Sequence, residues 1–370
     1  MLATVGQWLP DLTGLTTQPT VFFLWILFFA CAALIALYLS MDLRVNLYWE
    51  GPASKAMLVA LLVVAYSLCS SMLLILNKVT VTYIPAPSFI LCCQLGSCAL
   101  FVKVAALAGM VDAEPLEWEK SKKFALIVFG FIGTLFSNIT ALQFVPVDTI
   151  ICFRASTPIL IAIIEFLYLG RELPCARSWA SLVGVFGGVA AYTWHDINFT
   201  KMGYVWLGVW YTFTVFEIVY VKKVVDSVKM TTWSRTYYQN TLAFVPMLAI
   251  TAFSGEVQVL AALTWKTKGV LLLCASCAGG VGMSYFSFAL RAVISATLFS
   301  VIGNVCKVLT ILTNLVIWDK HSNTMGTLAL LGCLGAGSAY QQAPMRPVQG
   351  RAEEDSRKES LLAVKSESNL

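Results

Sequence analysis

The sequence has little charge. Only 12% of its 370 residues are Asp, Glu, Lys or Arg, whereas 58% are hydrophobic. A soluble domain carries roughly 25% charged residues, so this chain has too little polar surface to face water and needs lipid as its solvent. It has only two histidines, His195 and His321, and neither belongs to a catalytic or metal-binding motif. The shortage of charge excludes a soluble enzyme, and the shortage of catalytic groups disfavours a membrane enzyme.

The sequence also lacks long polar segments between its apolar runs, so no soluble catalytic domain fits between them. Each run is long enough for a transmembrane helix of about 20 residues, the structure that satisfies every backbone polar group in lipid. Eleven such spans are predicted, at about 21–41, 56–77, 86–109, 124–143, 148–170, 178–194, 202–221, 232–254, 269–290, 292–317 and 324–343. The expected fold class is an all-α membrane protein.

Lysine and arginine are unevenly divided between the connections. With the span 21–41 set aside, one set of connections holds Arg44, Lys55, Lys103, Lys120, Lys122, Lys123, Arg171, Arg177, Lys222, Lys223, Lys229, Arg235 and Arg291. The opposite set holds only Lys78, Lys201, Lys266, Lys268 and Lys320. Because the richer side faces the cytosol, this division predicts a cytosolic C-terminus.

The two ends of the chain differ from its apolar body. Residues 1–20 contain no Lys or Arg, and Arg44 follows the first span, which predicts a luminal N-terminus and a retained helix at 21–41. A cleaved signal peptide is the alternative, although no basic segment precedes the apolar stretch. Residues 344–370 are polar, of mixed charge and without aromatics, so a disordered cytosolic tail is expected.

The two halves of the apolar region resemble each other weakly. The segment 147–172 matches the segment 294–319, and each is followed by a Gly-rich span that ends near a tyrosine. Because each half holds an odd number of spans, the second copy must be inverted in the membrane. The predicted core is therefore ten helices in two inverted five-helix repeats, 56–200 and 201–343. Residues 1–55 add one N-terminal transmembrane helix and a linker.

Two cations lie inside the predicted spans, Arg154 at 148–170 and Lys307 at 292–317. These spans are the ones that the repeat matches. Charges at bilayer depth are costly and usually serve function, so two cations that converge there suit a phosphate or diphosphate substrate. Arg154 could instead pair with Glu165 or Glu217, whereas Lys307 has no acid nearby in the sequence. A trafficking receptor would leave both cations unexplained.

Three further patterns place polar or aromatic groups in the spans. Phe299, Gly303 and Lys307 share one helix face, where they could stack a base, admit a ribose and pair with phosphate. Tyr66 and Asn77 also share a face, since eleven residues make about three turns. The run 237–240 (Tyr-Tyr-Gln-Asn) offers amide donors and acceptors of the kind that base-edge recognition requires. Helix packing and interhelical hydrogen bonds are the structural alternative for all three patterns.

These motifs resemble a known family. The segment 303–307 (Gly-Asn-Val-Cys-Lys) resembles the GALNK-type motif of the GDP-mannose and GDP-fucose group of nucleotide-sugar transporters, in the drug/metabolite transporter superfamily. The run 237–240 resembles their FYNN-type motif. The resemblance covers residues 56–343, and the segments 294–297 and 317–321, with 340–342 (Tyr-Gln-Gln), are similar to those of plant and algal Golgi GDP-sugar transporters.

The resemblance implies a role for each matching residue. Lys307 would meet the phosphates, Phe299 would stack on guanine, Tyr66 would touch the sugar, and Ser284 with two amides of the run 237–240 would read the guanine edge. The whole predicted substrate site is Tyr66, Asn77, Lys78, Arg154, Tyr237, Tyr238, Gln239, Asn240, Ser284, Phe299, Gly303, Asn304 and Lys307. No catalytic or metal-binding residue and no cofactor is expected.

The resemblance also implies a transport cycle. The family exchanges a cytosolic nucleotide sugar for a luminal nucleoside monophosphate by alternating access in the Golgi membrane, without an ATPase. The expected partners are therefore these two nucleotides and membrane lipid, with no nucleic acid, and a homodimer stays open.

The sequence departs from the family pattern at two positions. Gln239 and Cys306 stand where the motifs have Asn; Gln keeps the amide, but Cys loses a strong donor and acceptor. Guanine preference is therefore less secure than nucleotide-sugar transport, and a UDP-sugar or a sugar phosphate exchanged for phosphate is the alternative substrate. The plastid sugar-phosphate translocators typically have a second basic residue after the lysine, where this chain has Val308. The absence of Arg from residues 1–20 and the presence of Asp11 also argue against a plastid transit peptide.

Overall fold

The computed structural model describes residues 52–141, 144–145, 147–193, 201–317, 332, 336 and 339–345. The predicted span 21–41, most of the predicted span 324–343, and the tail from residue 346 lie outside this part of the chain. The segment 198–200, a glycosylation sequon, lies outside it as well.

The described part is helical, apart from one isolated bridge between Arg171 and Met345. Every span predicted between residues 56 and 317 coincides with a helix, and one short helix, α8, was not predicted. The helices are α1 (Pro52–Tyr83), α2 (Pro87–Leu107), α3 (Trp118–Ala141), α4 (Val147–Tyr168), α5 (Ala176–Thr193), α6 (Lys201–Ser227), α7 (Thr232–Phe253), α8 (Glu256–Ala262), α9 (Thr267–Val293) and α10 (Ala296–Ile317).

Local chemistry fixes several helix ends. Pro87 stands at the start of α2, where its missing N–H costs nothing and its fixed φ favours a helix. Thr231 caps α7 by accepting a hydrogen bond from the Ser234 N–H at 3.1 Å. Gly255 adopts a φ of 81°, which a residue with a Cβ rarely adopts, and there the chain turns by 71° between α7 and α8.

The helices present apolar side chains outward, as lipid-facing surfaces do. Leu107 is 77% exposed and Val245 is 67% exposed. By length and hydropathy, four of the described helices can cross a membrane, α1 over Leu58–Tyr83, α2, α6 and α9, or five if the bent pair α7 and α8 counts as one span. The total of eleven spans therefore stays a prediction, as do the two inverted repeats.

Helix pairs pack closely where glycines remove side chains. The pairs α3 with α6, α1 with α9 and α2 with α7 make the most extensive contacts in the described part. A Cβ added at Gly133 would overlap the Phe213 ring of α6, and one added at Gly96 would lie 2.8 Å from the Phe244 ring of α7. Small residues thus allow the close helix approach that is typical of membrane proteins.

The bundle has two ends. The basic end carries the connections 108–117, 169–175, 228–231 and 294–295, and the opposite end carries the connections 84–86 and 254–266. Among the described residues, only Arg171 and Lys229 of the charges assigned to basic-end connections lie in connections. The assignment was wrong for the other ten, which lie within helices, among them Lys222 in α6, Arg235 in α7 and Arg291 in α9. Lys222 reaches the carbonyl of Arg291 at 2.8 Å, and Arg235 Nη2 donates to the carbonyl of Val225 at 2.8 Å. Such cations satisfy the free carbonyls at helix C-termini.

At each end, a buried glutamate caps a helix from a distant part of the chain. At the basic end, Glu165 of α4 accepts hydrogen bonds from the N–H groups of Ala296, at 2.8 Å, and Thr297, at 3.1 Å. At the opposite end, Glu256 of α8 accepts from the N–H groups of Ser88, at 3.1 Å, and Phe89, at 2.9 Å. A carboxylate satisfies the unpaired donors of a helix N-terminus and interacts favourably with its dipole. These two arrangements are called the Glu165 contact and the Glu256 contact below.

Candidate functional site

An aromatic pair joins α1 to α10 in the interior of the bundle. Tyr66 and Phe299 are each 5% exposed, and their ring centroids lie 5.1 Å apart at an angle of 50°. A Cβ added at Gly303 would lie 3.9 Å from the Tyr66 hydroxyl. The structure thus brings together three predicted site residues, with the Phe299 and Gly303 face of α10 turned toward Tyr66.

Arg154 lies next to this pair, on α4. Its guanidinium carbon is 5.7 Å from the centre of the Trp210 ring, and its carbonyl accepts a hydrogen bond from Asn304 Nδ2 at 3.3 Å. Its charge interacts with the Tyr66 hydroxyl and with the Glu217 carboxylate. A cation–π contact of this length is within the usual range of about 6 Å. The predicted cation is therefore placed beside the predicted aromatic groups.

Arg291 belongs to the same cluster and was missed from the sequence. It stands in the last turn of α9, and its guanidinium carbon lies 4.2 Å from the centre of the Phe299 ring. Its charge interacts with Glu217 and with Tyr66. No pattern in the sequence indicates this placement, because a basic residue at the end of an apolar run is expected to lie in a connection.

The two acids that were considered as partners of Arg154 have different positions. Glu165 caps α10 and also lies 3.4 Å from Arg171 Nε, so it is not the partner of Arg154. Glu217 of α6 interacts with both Arg154 and Arg291. Among the described residues, neither guanidinium has a carboxylate oxygen within 4.0 Å. Glu217 is thus a shared, indirect counter-charge for two cations.

The amide groups of the run 237–240 differ from one another. Asn240 is 2% exposed, donates to the Thr236 carbonyl at 2.8 Å and accepts from Ser284 Oγ at 3.5 Å. Gln239 Oε1 is buried and has no hydrogen-bond partner among the described residues. An unpaired buried acceptor costs about 1–3 kcal/mol, so a donor that reached this oxygen would be stabilising.

Helix α9 connects the amide groups to the charged cluster. Ser284 and Arg291 are seven residues apart, which is about two turns and roughly 10 Å along one helix face. The Asn240 and Ser284 pair and the Arg291 and Phe299 pair therefore lie along one line through the bundle, at the scale of a nucleotide.

Three predicted site residues have structural partners instead. Asn77 Oδ1 accepts hydrogen bonds from Gln94 Nε2, at 2.7 Å, and Ser276 Oγ, at 2.6 Å, which tie α1 to α2 and α9. The Tyr238 hydroxyl donates to the Pro115 carbonyl at 2.5 Å and accepts from the Glu117 N–H at 2.7 Å. The Tyr237 ring lies beside Tyr238, with Lys103 Nζ 6.0 Å from its centre. Interhelical bonding explains these residues without a substrate.

Three residues of the motifs remain. Lys78 and Lys307 have helical backbones in α1 and α10, but their side chains lie outside the described part of the chain. Cys306 is 1% exposed, and its thiol donates to Ser67 Oγ at 3.1 Å, so it faces α1. Cys306, which stands where the family motif has Asn, therefore lies at the contact between α10 and α1. Within the described ranges, no three His, Cys, Asp or Glu side chains are placed to hold a metal ion.

A helical bundle with an apolar outer surface and a charged, aromatic interior is the arrangement expected of a membrane transporter. The chain matches the Triose-phosphate Transporter family over residues 57–336. It therefore belongs to that family, and it is a transporter and not an enzyme.

The chain is also similar to individual transporters. It is 34% identical to GDP-fucose transporter 1 of Arabidopsis thaliana, over 83% of this chain and 92% of that protein. It is 33% identical to the GDP-mannose transporter GONST3 of Arabidopsis thaliana, over 81% of this chain and 83% of that protein. The resemblance to the GDP-mannose and GDP-fucose group is thus confirmed. The UDP-sugar transporter UST74c of Drosophila melanogaster is 23% identical, over 65% of this chain and 66% of that protein.

A crystal structure of another protein has the same fold. It superposes with a TM-score of 0.57 at 17% identity, over 76% of this chain and 96% of that chain. At this identity the likeness concerns the fold alone.

Proposed function

We propose that this protein carries a GDP-linked sugar across the Golgi membrane in exchange for GMP, by alternating access. The observation that carries the proposal is the cluster of Arg154, Tyr66 and Phe299. Ser284, which pairs with Asn240, lies two turns along α9 from Arg291, whose guanidinium contacts the Phe299 ring. A cation beside stacked rings and an amide group suit a nucleotide, which has an anionic phosphate, a flat base and a polar base edge. The relatives at 34% and 33% identity are GDP-sugar transporters by name.

The proposed binding mode assigns one group to each part of the substrate. Lys307 and Arg154 neutralise the phosphates, and Phe299 stacks on the base. Gln239, Asn240 and Ser284 hydrogen-bond to the base edge, and the unpaired Gln239 oxygen supports this role. In this arrangement Gln239 replaces the family's Asn as a reader of guanine, while Cys306 has no contact with it.

The proposed orientation follows the charges. The basic end faces the cytosol, as the excess of Lys and Arg requires, with the C-terminus on the same side and the N-terminus in the lumen. The halves 56–200 and 201–343 act as inverted repeats that rock against each other around the central cluster. Exchange against GMP supplies the driving force, so no ATPase is needed.

The test is counterflow in proteoliposomes loaded with GMP, with labelled GDP-mannose, GDP-fucose and UDP-glucose outside. We expect saturable GDP-sugar uptake that requires internal GMP and that Lys307→Ala abolishes. Lys122→Ala is the matched control and should leave uptake unchanged, because Lys122 is an exposed lysine whose described partners, Glu119 and the Trp118 ring, are neighbours on its own helix. Uptake that does not depend on internal nucleotide would contradict the exchange.

A second substrate class has support of its own. The family is named for triose phosphate, and one relative at 23% identity is a UDP-sugar transporter by name. Both classes keep the phosphate but lose guanine. Uptake of UDP-sugars alone, or of triose phosphate against phosphate, would therefore keep the roles of Arg154 and Lys307 and overturn the guanine assignment.

A further inference from the structure

We propose that Arg291 is a substrate-binding residue: its guanidinium and the nucleotide base compete for one face of the Phe299 ring, and it turns to the phosphates when the base stacks there. This inference rests on the proposed function and adds a residue that neither the family motifs nor the charge pattern identifies.

The contact with Phe299 is the first step. The Arg291 guanidinium carbon is 4.2 Å from the ring centre, so the flat cation covers a ring face. A stacked base needs a face of the same ring at a similar distance. Tyr66 is the other ring neighbour, at 5.1 Å, but it is buried and held on α1. The long and only partly buried Arg291 side chain is therefore the neighbour that moves.

The hydrogen bonds of Arg291 are the second step. Its Nε is buried and has no hydrogen-bond partner among the described residues. A guanidinium has five donors in a fixed fork that fits phosphate oxygens, and a buried donor without an acceptor is costly. Phosphate oxygens would satisfy these donors, whereas the ring face satisfies only the charge.

The charge balance of the cluster is the third step. Among the described residues, Arg154 and Arg291 interact with one acid, Glu217, so the described charges between α4, α6 and α9 have an excess of positive charge. A nucleoside monophosphate or diphosphate carries the opposite charge. The two arginines therefore form a pair that holds the phosphates from two sides, with Glu217 as the acid that keeps the pair tolerable at bilayer depth.

The position of Arg291 also has a structural explanation. A cation in the last turn of a helix stabilises the helix dipole by about 0.3–1 kcal/mol at an exposed site. Arg291→Lys separates the two roles, because lysine keeps the charge at the end of α9 but loses the planar fork. Its own carbonyl, which accepts from Lys222, is unchanged by the substitution.

The experiment compares guanosine with GMP as inhibitors of GDP-mannose counterflow, in proteoliposomes of the full chain. The ratio of their inhibition constants measures what the phosphate contributes. We expect Arg291→Lys to reduce this ratio roughly tenfold, the loss of about one charge-assisted hydrogen bond. Guanosine itself should bind at least as well as in the wild type, because the ring face is easier to reach.

Two variants provide the controls. Arg235→Lys alters an arginine that donates hydrogen bonds to the carbonyls of Val225 and Val228 at the C-terminal end of α6. The melting temperature of this variant should fall, while the ratio of the guanosine and GMP inhibition constants stays unchanged. Phe299→Leu removes the ring and should weaken guanosine and GMP equally.

Each outcome decides between the explanations. An unchanged ratio in Arg291→Lys, with a normal melting temperature, would overturn the inference and leave the proposed function intact. If the wild type exchanges only UDP-sugars, the guanine assignment fails, and the same ratio measured with uridine and UMP decides the role of Arg291.

Discussion

The Glu165 contact and the Glu256 contact lie at the two ends of the bundle. They use the same hydrogen bonds from main-chain N–H groups to a carboxylate, but the groups around the two carboxylates differ. Both place a buried carboxylate on two N–H groups at a helix N-terminus. Glu165 is 3% exposed, also binds the Thr297 hydroxyl, and pairs with Arg171. Glu256 is 6% exposed and, among the described residues, has no basic partner.

The residues around the two glutamates make the Glu165 contact still more firmly held than the Glu256 contact. At the basic end, Arg171 Nη1 donates to the Ala343 carbonyl at 2.8 Å, and the Glu172 N–H donates to the Pro344 carbonyl at 3.0 Å. At the opposite end, Glu256 stands on a helix of seven residues that follows the 71° bend. The Glu165 contact is thus held by an ion pair and by hydrogen bonds to the segment 343–344, whereas the Glu256 contact depends on a short helix that follows a bend. In the proposed cycle, opening the basic end therefore costs more than opening the opposite end.

Glu165→Gln should have the largest effect. The substitution removes the negative charge that caps the N-terminus of α10, and it also removes the ion pair of Glu165 with Arg171, whose side chain is 12% exposed. We therefore expect a loss of roughly 3 kcal/mol of stability at the basic end. The measurement is the labelling rate of Ser300→Cys, buried between α4 and α10, by a membrane-impermeant thiol reagent, against the native cysteines as background. Labelling as slow as in the Ser300→Cys parent would refute the role of the contact.

Arg171→Gln should come next. It keeps both backbone hydrogen bonds of Glu165 but removes the ion pair and the charged donor to Ala343, which are worth about 2 kcal/mol together. The two ends should then become similar in stability. Ser300→Cys should therefore be labelled at a rate close to that of Ala86→Cys, a cysteine placed beside the Glu256 contact at the opposite end. Arg177→Gln, an exposed arginine near the same end, should change nothing.

Glu256→Gln should have a smaller effect than either. Gln keeps one acceptor oxygen and there is no buried cation to leave unpaired, so we expect a loss of about 1 kcal/mol. The reporter is Ala86→Cys, at a position that is fully buried beside the contact. If Glu256→Gln lowers the melting temperature more than Glu165→Gln does, the ranking of the two ends is reversed and the comparison fails.

Gly255→Ala should have the smallest effect. At a φ of 81° an alanine costs about 1 kcal/mol, but this strain falls on the bend and not on the hydrogen bonds of Glu256. Among the described residues its Cβ would meet only Gln258 Oε1, at 3.8 Å. The strain should loosen the Glu256 contact without removing it, so labelling of Ala86→Cys should rise less than in Glu256→Gln. Gly187→Ala is the control, because an added Cβ there meets no atom of the described residues within 4 Å and the φ is ordinary.

Much of the fold was predictable because lipid makes apolar length decisive. Every span predicted between 56 and 317 has its helix, since a run of about 20 apolar residues has few alternatives in lipid. The ends were less predictable, because polar side chains at a helix end can reach partners from inside it. Lys222 continues α6 by bonding to Asp226 at 2.7 Å and to the end of α9. The short helix α8 is too brief to give a periodic signal.

The site was predictable only where residue type alone implies a role. The structure brings Arg154 close to Tyr66 and Phe299, as expected for a buried cation and two aromatic rings in apolar spans. Asn77 and Tyr238 have the same polar character, but neighbouring helices satisfy them, and no pattern within one span distinguishes these cases. Arg291 depends on Phe299 in the next helix, and Glu165 depends on a helix N-terminus 131 residues away. Such partners are set by the packing of the bundle.

The glutamates at the two ends also have a consequence for how this family evolves. Glu165 and Glu256 bind mainly N–H groups of the main chain, which every residue except proline provides. Side chains at positions 88, 89 and 296 can therefore change from one descendant to another without any compensating change in either glutamate. The main-chain hydrogen bonds of the two contacts would therefore leave no paired substitutions in a set of related sequences, and comparison of sequences alone would not detect them.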